Sequence, residues 1–425
     1  MSLQSAQAQL IARISTLSAT EDNLQQLAYA ARGLESLSEQ YATSPVGFYG
    51  VSWDESADTY VRTGSATNAT ALPIQSQLRR CLLNDAGNVT AYLLGQDSRY
   101  TENGSVAILN GDAGQVMVEI PRFWYRYSKV GTKHTWEVTD VPTAGFSVHP
   151  AFIKDGVEVP FRYIGAYEGY VSGGKLSSIS GVAPTTSQTR TVFRSQAAAR
   201  GLGWRQCEWY LHHALQVLAI VEFGTFKLQD AIGAGRVNLS GGSWTGGSYI
   251  GITGKSNYLG NLTGHQSIGG AVTGAGQGDF VSYRGIENIW GNISEFRDGL
   301  TVDASANDTT TPVSYWATNN RADFADTGST NMTLVSANTN LGVANAGYVS
   351  ALENAAYGFI GSAVAGSSTT KVPDYYYQYS NNGSGWRAPY VGGHGSAGAE
   401  AGLFYLNVNN PSSNSGVHIG SRAGF

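Results

Sequence analysis

The sequence predicts an α+β fold. Strand-like blocks fill residues 45–130, two helical patterns follow between 187 and 225, and strand-like blocks return at 283–300 and after 385. A further helical pattern precedes all of them, over residues 2–40. Long Gly-, Ser- and Thr-rich stretches separate the blocks, and irregular segments of that length inside a compact domain are usually functional. The expected architecture is therefore an N-terminal helical oligomerisation segment followed by an α+β domain with long irregular loops.

In the N-terminal segment Leu3, Leu10, Leu17 and Leu24 recur every seven residues. Thr20 suits an N-cap, and Glu21 and Asp22 suit the positive end of a helix. Leu24, Leu27, Ala28, Ala31, Leu34 and Leu37 then form a narrow apolar stripe, the pattern of an oligomeric seam. Two helical pieces with a break near 18–20 are too short to fold alone. They read as a self-association segment, the other reading being a helix packed on its own domain.

From Pro45 the pattern changes. "FYGVSWDES", "TYVRTG", "VTAYLLG" and "SVAILNG" read as short strands between Gly, Asn and Asp turns. "QVMVEIPRFWYRYSKV" (115–130) is the strongest strand signal, with Pro121 marking an edge or bend. A helix is expected over 187–201, with Thr191 as cap and Gly201 as stop. Another is expected over 203–225, with Trp209, Leu211, Leu215, Leu218 and Val221 at helical spacing and Gly224 as stop. Residues 233–285 read as long irregular structure anchored by Trp244, Tyr249, Ile252 and Tyr258. The division this implies is 1–40, a helical attachment segment; 41–114, a β-rich linking region; and 115–425, a main domain. The main domain holds an insertion over about 301–384 and a terminal block over about 385–425.

Charged residues make up 13% of the chain, against an average of about 25%. Gly supplies 54 of 425 residues, with 24 Tyr and 9 Trp. This is the composition of a loop-rich extracellular or virion protein with a polar, weakly charged surface. The net charge of −5, without any Lys/Arg cluster, argues against a nucleic-acid partner. Cys81 and Cys207 lie far apart outside any metal-binding spacing; a disulfide between them is one reading, and buried free thiols are the expected one. No apolar run approaches the roughly 18 residues a membrane span needs. "MSLQSAQAQLIARIS" lacks the features of a signal peptide, so synthesis in a cytoplasm and exit by lysis or in a particle are expected.

"VMVEIPRFWYRY", "HPAF" (149–152), "YIGAYEGY" (163–170), "RGLGWRQCEWYLHHALQVLAIVEFGT", "YRGIENIWGNISEFRDG" and "GWRAPYVGG…AGLFYLNVNN…IGSRAGF" follow one another in order. This succession resembles the C-type-lectin-fold proteins related to formylglycine-generating enzymes, in particular their phage tail-fibre and receptor-binding branch. Members of that branch are often the variable proteins of diversity-generating retroelements. The resemblance covers roughly residues 45–425, and the N-terminal segment resembles the trimerising starts of phage fibre proteins.

The resemblance implies a sheet in which the last strands sit centrally and nearby loops form a binding face. Trp386, Arg387, Gly402, Leu403, Phe404, Ile419, Gly420 and Arg422 would be the structural frame, with Arg422 tying down Glu287, Glu295 or Asp298. Tyr390, His394, Ser396, Glu400, Tyr405, Asn407, Asn409, Ser415, Val417 and His418 would project from a shared surface and bind a receptor. Tyr offers contact area at low entropic cost, and Asn and Ser offer adaptable hydrogen bonds. In a retroelement target, Asn codons mutate to Tyr, His, Asp, Ser, Gly or Val, an assortment the terminal block holds.

The implied function is host adhesion by a homotrimeric tail fibre or spike that sets tropism, without catalysis. Its partners would be a bacterial surface receptor, protein or glycan, and other tail proteins met through the N-terminal segment. Its place would be the virion, and neither nucleic-acid binding nor membrane insertion is implied. The other readings are a structural tail or baseplate component, a prophage or cellular display protein, and a glycan-cleaving tail enzyme. The oxidising relatives use cysteines late in the fold, whereas no Cys follows Cys207 here. The triplets of calcium-dependent sugar sites and a G-x-S-x-G nucleophile context are absent. No cofactor is expected, and a structural Ca2+ in the Gly-rich loops is left open. Glu295 and Asp298 read as turn and Arg partners rather than a glycosidase pair. His212 and His213, adjacent on a helix, point about 100° apart, so one is expected packed and one exposed.

Overall fold

A computed structural model describes residues 47–239, 249–269, 275–305, 312–338, 346–353, 355–378 and 385–425. The helical segment expected over 1–40 and the anchor Trp244 lie outside the described residues.

The α+β expectation does not hold. The described chain is mostly β-sheet, with four short α-helices: Ala66–Ala71, Arg190–Ala198, Trp209–Phe223 and Leu228–Ile232. Turn residues punctuate this sequence every few positions. A strand of five or six residues can complete its ladder between such turns, whereas a helix needs a longer unbroken run.

Among the described residues the larger sheets are one of five strands, one of seven, one of six and one of four. The five-stranded sheet runs Thr59–Gly64, Tyr49–Asp54, Lys133–Thr139, Trp124–Val130, Ser147–Val148. The seven-stranded sheet runs Arg205–Gln206, Ala423–Gly424, Phe161–Gly165, Gln115–Pro121, Arg79–Leu83, Val89–Leu94, Asp97–Thr101. The six-stranded sheet runs Ala346–Val349, Val372–Tyr377, Gly402–Asn407, Tyr390–Gly392, Ser294–Phe296, Ile419–Gly420. The four-stranded sheet runs Thr333–Asn338, Val313–Ala317, Leu300–Ala304, Gly385–Arg387.

These sheets ignore the expected divisions. Arg79–Leu83 pairs with Gln115–Pro121, so the boundary at 115 falls inside one sheet. The stretch 301–384 is woven into the terminal block: Leu300–Ala304 pairs with Gly385–Arg387, and Val372–Tyr377 pairs in parallel with Gly402–Asn407. The last strand, Ala423–Gly424, lies between Arg205–Gln206 and Phe161–Gly165.

The helix Trp209–Phe223 is the centre of the core. Every residue from Trp209 to Val221 is buried. A helix that is apolar around most of its circumference must be packed on all sides. His212 and His213 are therefore both buried, against the expectation of one exposed ring. The helix starts at Trp209 rather than 203, because Arg205–Gln206 is spent on pairing with the last strand. It stops where Gly224 takes a left-handed conformation (φ 63°). Arg190–Ala198 is capped by Thr189 rather than Thr191, whose hydroxyl is taken by Asp326. Cys81 and Cys207 are buried free thiols. No described helix is long and apolar enough to cross a membrane.

Candidate functional site: a tyrosine stripe on a buried frame

The terminal block is held by polar groups inside the protein. Arg422 is fully buried, and its Nε lies 3.0 Å from both Glu295 oxygens, with Nη2 2.6 Å from Oε1. Its remaining N–H groups donate to the carbonyls of Gly165, Glu287 and Asn288 at 2.9–3.1 Å. Of the three carboxylates considered for Arg422, Glu295 is the partner. Asp298 is bidentate with Arg194, and Glu287 receives the N–H groups of Gly254 and Ser256 and the Ser256 hydroxyl. The Glu295 carboxyl is held below its usual range by Arg422 and Arg297, against the opposing effect of its burial.

The rest of the frame is packed as tightly. A Cβ on Gly402 would lie 2.1 Å from the Asp374 carboxylate, and one on Gly420 would lie 2.5 Å from Ile293 Cδ1. Asp374 accepts the Phe404 N–H at 2.7 Å, and burial pushes its carboxyl well above the usual carboxylate range. Phe404 meets Phe226 and Phe359 edge-on, each at 4.8 Å between centroids. Leu403 and Ile419 are buried, Arg387 is buried, and Trp386 is half-buried beside it.

The shared surface expected of ten residues does not form. Tyr390, Tyr405, Asn407 and Asn409 are buried, at 4%, 4%, 5% and 8% exposure. The strand Gly402–Asn407 has neighbours on both edges and packing on both faces. Leu403, Phe404 and Leu406 enter the larger apolar core, while Tyr405 enters the smaller one with Phe296, Tyr390 and Ile419. The asparagines shape the turn after it: Asn407 Oδ1 accepts the Asn409 N–H at 3.0 Å, and Asn410 Nδ2 donates to Tyr390 Oη at 2.9 Å.

The remaining six residues reach solvent. Ser396, Ser415 and Val417 are exposed, and His394, Glu400 and His418 are half-buried. His394 and His418 meet edge to face at 4.8 Å, and Ser396 Oγ lies 3.3 Å from His394 Nδ1. Burial, then the neighbouring His418, brings the His394 imidazole down to about 4; burial lowers His418 as well. Both rings are therefore neutral at neutral pH.

A second exposed feature went unread in the sequence. Tyr348, Tyr375 and Tyr377 are half-buried on one face of the six-stranded sheet. Tyr348 and Tyr375 are directly opposed across the ladder, with rings 5.1 Å apart. Tyr375 and Tyr377 are 4.6 Å apart, and Tyr377 lies 5.8 Å from Tyr405. Residues two apart on a strand share a face, so Tyr376 between them points into the core. Glu400 closes the row from the turn Gly398–Glu400, where its Oε2 accepts the Tyr377 hydroxyl at 2.9 Å. The signal available was "YYY" at 375–377 inside a strand-like run. Reading 301–384 as an insertion put those residues out of consideration.

Among the described residues, no group of three or more His, Cys, Asp or Glu is placed to hold a metal ion. No protein-family model and no curated protein matches the chain. The site must be judged on its chemistry. Half-exposed phenol rings, a neutral imidazole pair and exposed Ser and Val side chains offer contact area and hydrogen bonds.

Proposed function

We propose that the chain is the receptor-binding protein of a phage tail fibre or spike, of the kind its sequence resembles, and that it works by adhesion without catalysis. The observation that carries this reading is the partly exposed tyrosine stripe Tyr348–Tyr375–Tyr377 on the six-stranded sheet. Phenol rings bury much area while giving up little side-chain freedom, which suits a recognition surface. The weakly charged composition adds support, since such a face approaches a bacterial surface without strong long-range repulsion. In this reading the segment 1–40 joins three copies and attaches them to other tail proteins in the virion. Three sites on one particle convert modest single-site affinity into avidity.

Diversification by a retroelement, if it acts here, has room at His394, Ser396, Glu400, Ser415, Val417 and His418. It has little at the buried Tyr390, Tyr405, Asn407 and Asn409. Deep sequencing of the gene's 3′ end tests this, and variation concentrated at the four buried positions would overturn it.

Adsorption blocking tests the main reading. Purified protein should protect host cells from infection, and Tyr375→Ala should weaken protection about tenfold, a loss of about 1.4 kcal/mol. Release of soluble sugar from the cells would replace adhesion with cleavage. A solution mass that stays monomeric at high concentration would remove the trimer.

A further inference from the structure

We propose that the face formed by Tyr348, Tyr375, Tyr377 and Glu400 binds an organic ammonium group, a methylated or quaternary amine carried by the receptor. The inference rests on the receptor-binding reading and adds the chemistry of its ligand.

Glu400 is half-buried, and no Lys, Arg or His lies within ion-pair distance of it among the described residues. The carboxylates of the frame are treated differently: Glu295 has Arg422 and Arg297, Asp298 has Arg194, and Glu208 has Arg162. A partly desolvated carboxylate without a cation is a cost unless something positive arrives. Its position is fixed from two sides. The tight turn Gly398–Glu400 sets the backbone, and the Tyr377 hydroxyl holds Oε2 at 2.9 Å.

The surroundings match a cation and little else. Each of the three phenols is pushed above its ordinary titration value, first by burial and next by the Glu400 charge. All three hydroxyl ends therefore lie within the field of one carboxylate. The rings stand 5.1 Å and 4.6 Å apart in sequence along the row. Ring faces are negative, so cations within about 6 Å of a centroid are attracted, most strongly when partly desolvated. An anion would be repelled by Glu400, and a neutral apolar group would gain nothing from it. A quaternary ammonium is weakly hydrated, gives up little on leaving water, and gains from rings and carboxylate together.

The test titrates the full-length protein with choline and with its uncharged isostere 3,3-dimethyl-1-butanol, followed by calorimetry. Choline should saturate with a dissociation constant of about millimolar order, and the isostere should bind at least about tenfold more weakly. Glu400→Gln should weaken choline about tenfold and leave the isostere unchanged, while Tyr375→Leu should abolish the preference. Equal binding of the two probes, failure of choline to saturate, or indifference to Glu400→Gln would each overturn the inference. Cell adsorption by the same protein separates the two ideas. Adsorption without choline binding removes the ammonium site and keeps the receptor reading; choline binding without adsorption to any host does the reverse.

Discussion

Tyr405 and Val417 are close in the chain and opposite in environment. Tyr405 is 4% exposed and packs with Tyr377, while Val417 is 39% exposed on the loop before the last strands. Tyr405→Ala should lower stability by about 3–5 kcal/mol in urea unfolding, the range for truncating a buried aromatic. Val417→Ala should stay within about 0.5 kcal/mol. Glu168 offers a sharper test. Its carboxyl is buried among the Asn288 and Asn292 amides and the Ile293 N–H at 2.6–3.3 Å. Burial first and the Glu295 charge next raise it to about 8, against the pull of Arg422. A carboxyl whose folded value is raised favours the folded state fully below its unfolded value of 4.5, and that advantage is lost as pH rises through about 8. Wild type should therefore lose stability between about pH 5 and 8 relative to Glu168→Gln, by up to about 4 kcal/mol. Parallel unfolding curves for the two proteins across that range would remove the assignment.

The terminal strands show how short elements are made secure. Ile419–Gly420 and Ala423–Gly424 are two residues each, too short for their ladders alone to hold them. Arg422, between them, ties both to Glu295 and to three carbonyls from two other segments. Removing Arg422 leaves the buried Glu295 with Arg297 alone and takes a donor from three buried carbonyls, so Arg422→Met should cost about 3–5 kcal/mol. Because Glu295 also pairs with the buried Arg297 at 2.7 Å, recovery of part of that loss requires the triple variant Arg422→Met, Glu295→Leu, Arg297→Met. Gly402 makes the same point through space rather than charge. Its missing side chain admits the Asp374 carboxyl that receives the Phe404 N–H, and Gly402→Ala should cost about 1–3 kcal/mol in thermal or urea unfolding. That Arg422 ties down a carboxylate was implied by the resemblance of the terminal block, and its burial in the fold makes such a partner necessary. Which carboxylate answers it was not legible in the sequence, because Glu287, Glu295 and Asp298 differ only in where the fold aims them.

Across the molecule, the central helix is joined to the sheets by a chain of neutral imidazoles. Ala151 N–H donates to His149 Nδ1 at 3.2 Å, so the proton of His149 is on Nε2. That nitrogen faces His213 Nδ1 at 3.0 Å, and His213 Nε2 faces the Ala355 carbonyl at 3.2 Å. Each ring thus holds one proton, with its tautomer set by backbone at both ends. Burial lowers both, His213 to about 3. A base lowered in the folded state binds protons first in the unfolded chain, so stability is full above about pH 6.5 and falls as the medium acidifies. His213 alone should account for about 2–3 kcal/mol lost by about pH 4.5, read as a drop in urea midpoint relative to neutral pH in the Glu168→Gln background, where the opposing carboxyl is gone. Glu168 acts in the other direction, and the two ranges overlap between about pH 4.5 and 6.5, so Glu168 governs the fall above about pH 6.5 and the imidazoles the fall below about pH 4.5. In the Glu168→Gln background, a stability that keeps rising from neutral to acid would contradict the imidazole assignment.

Reading along the chain alone was enough to find features settled by neighbours in sequence or by elementary chemistry. Gly224 ends its helix because a left-handed residue is cheapest as glycine, and two cysteines far from any metal spacing stay free and buried. The fold class and the exposed face were decided elsewhere. A strand's two faces are alike in sequence until its neighbours are known, and the neighbours of Gly402–Asn407 come from residues 372–377 and 390–392. That pairing buried Tyr405 and Asn407, turned a supposed insertion into part of the sheet, and left Tyr375 and Tyr377 at the surface beside Glu400. Contacts between distant segments carry no local mark, so only the assembled sheets could say which aromatic residues are core and which reach the surface.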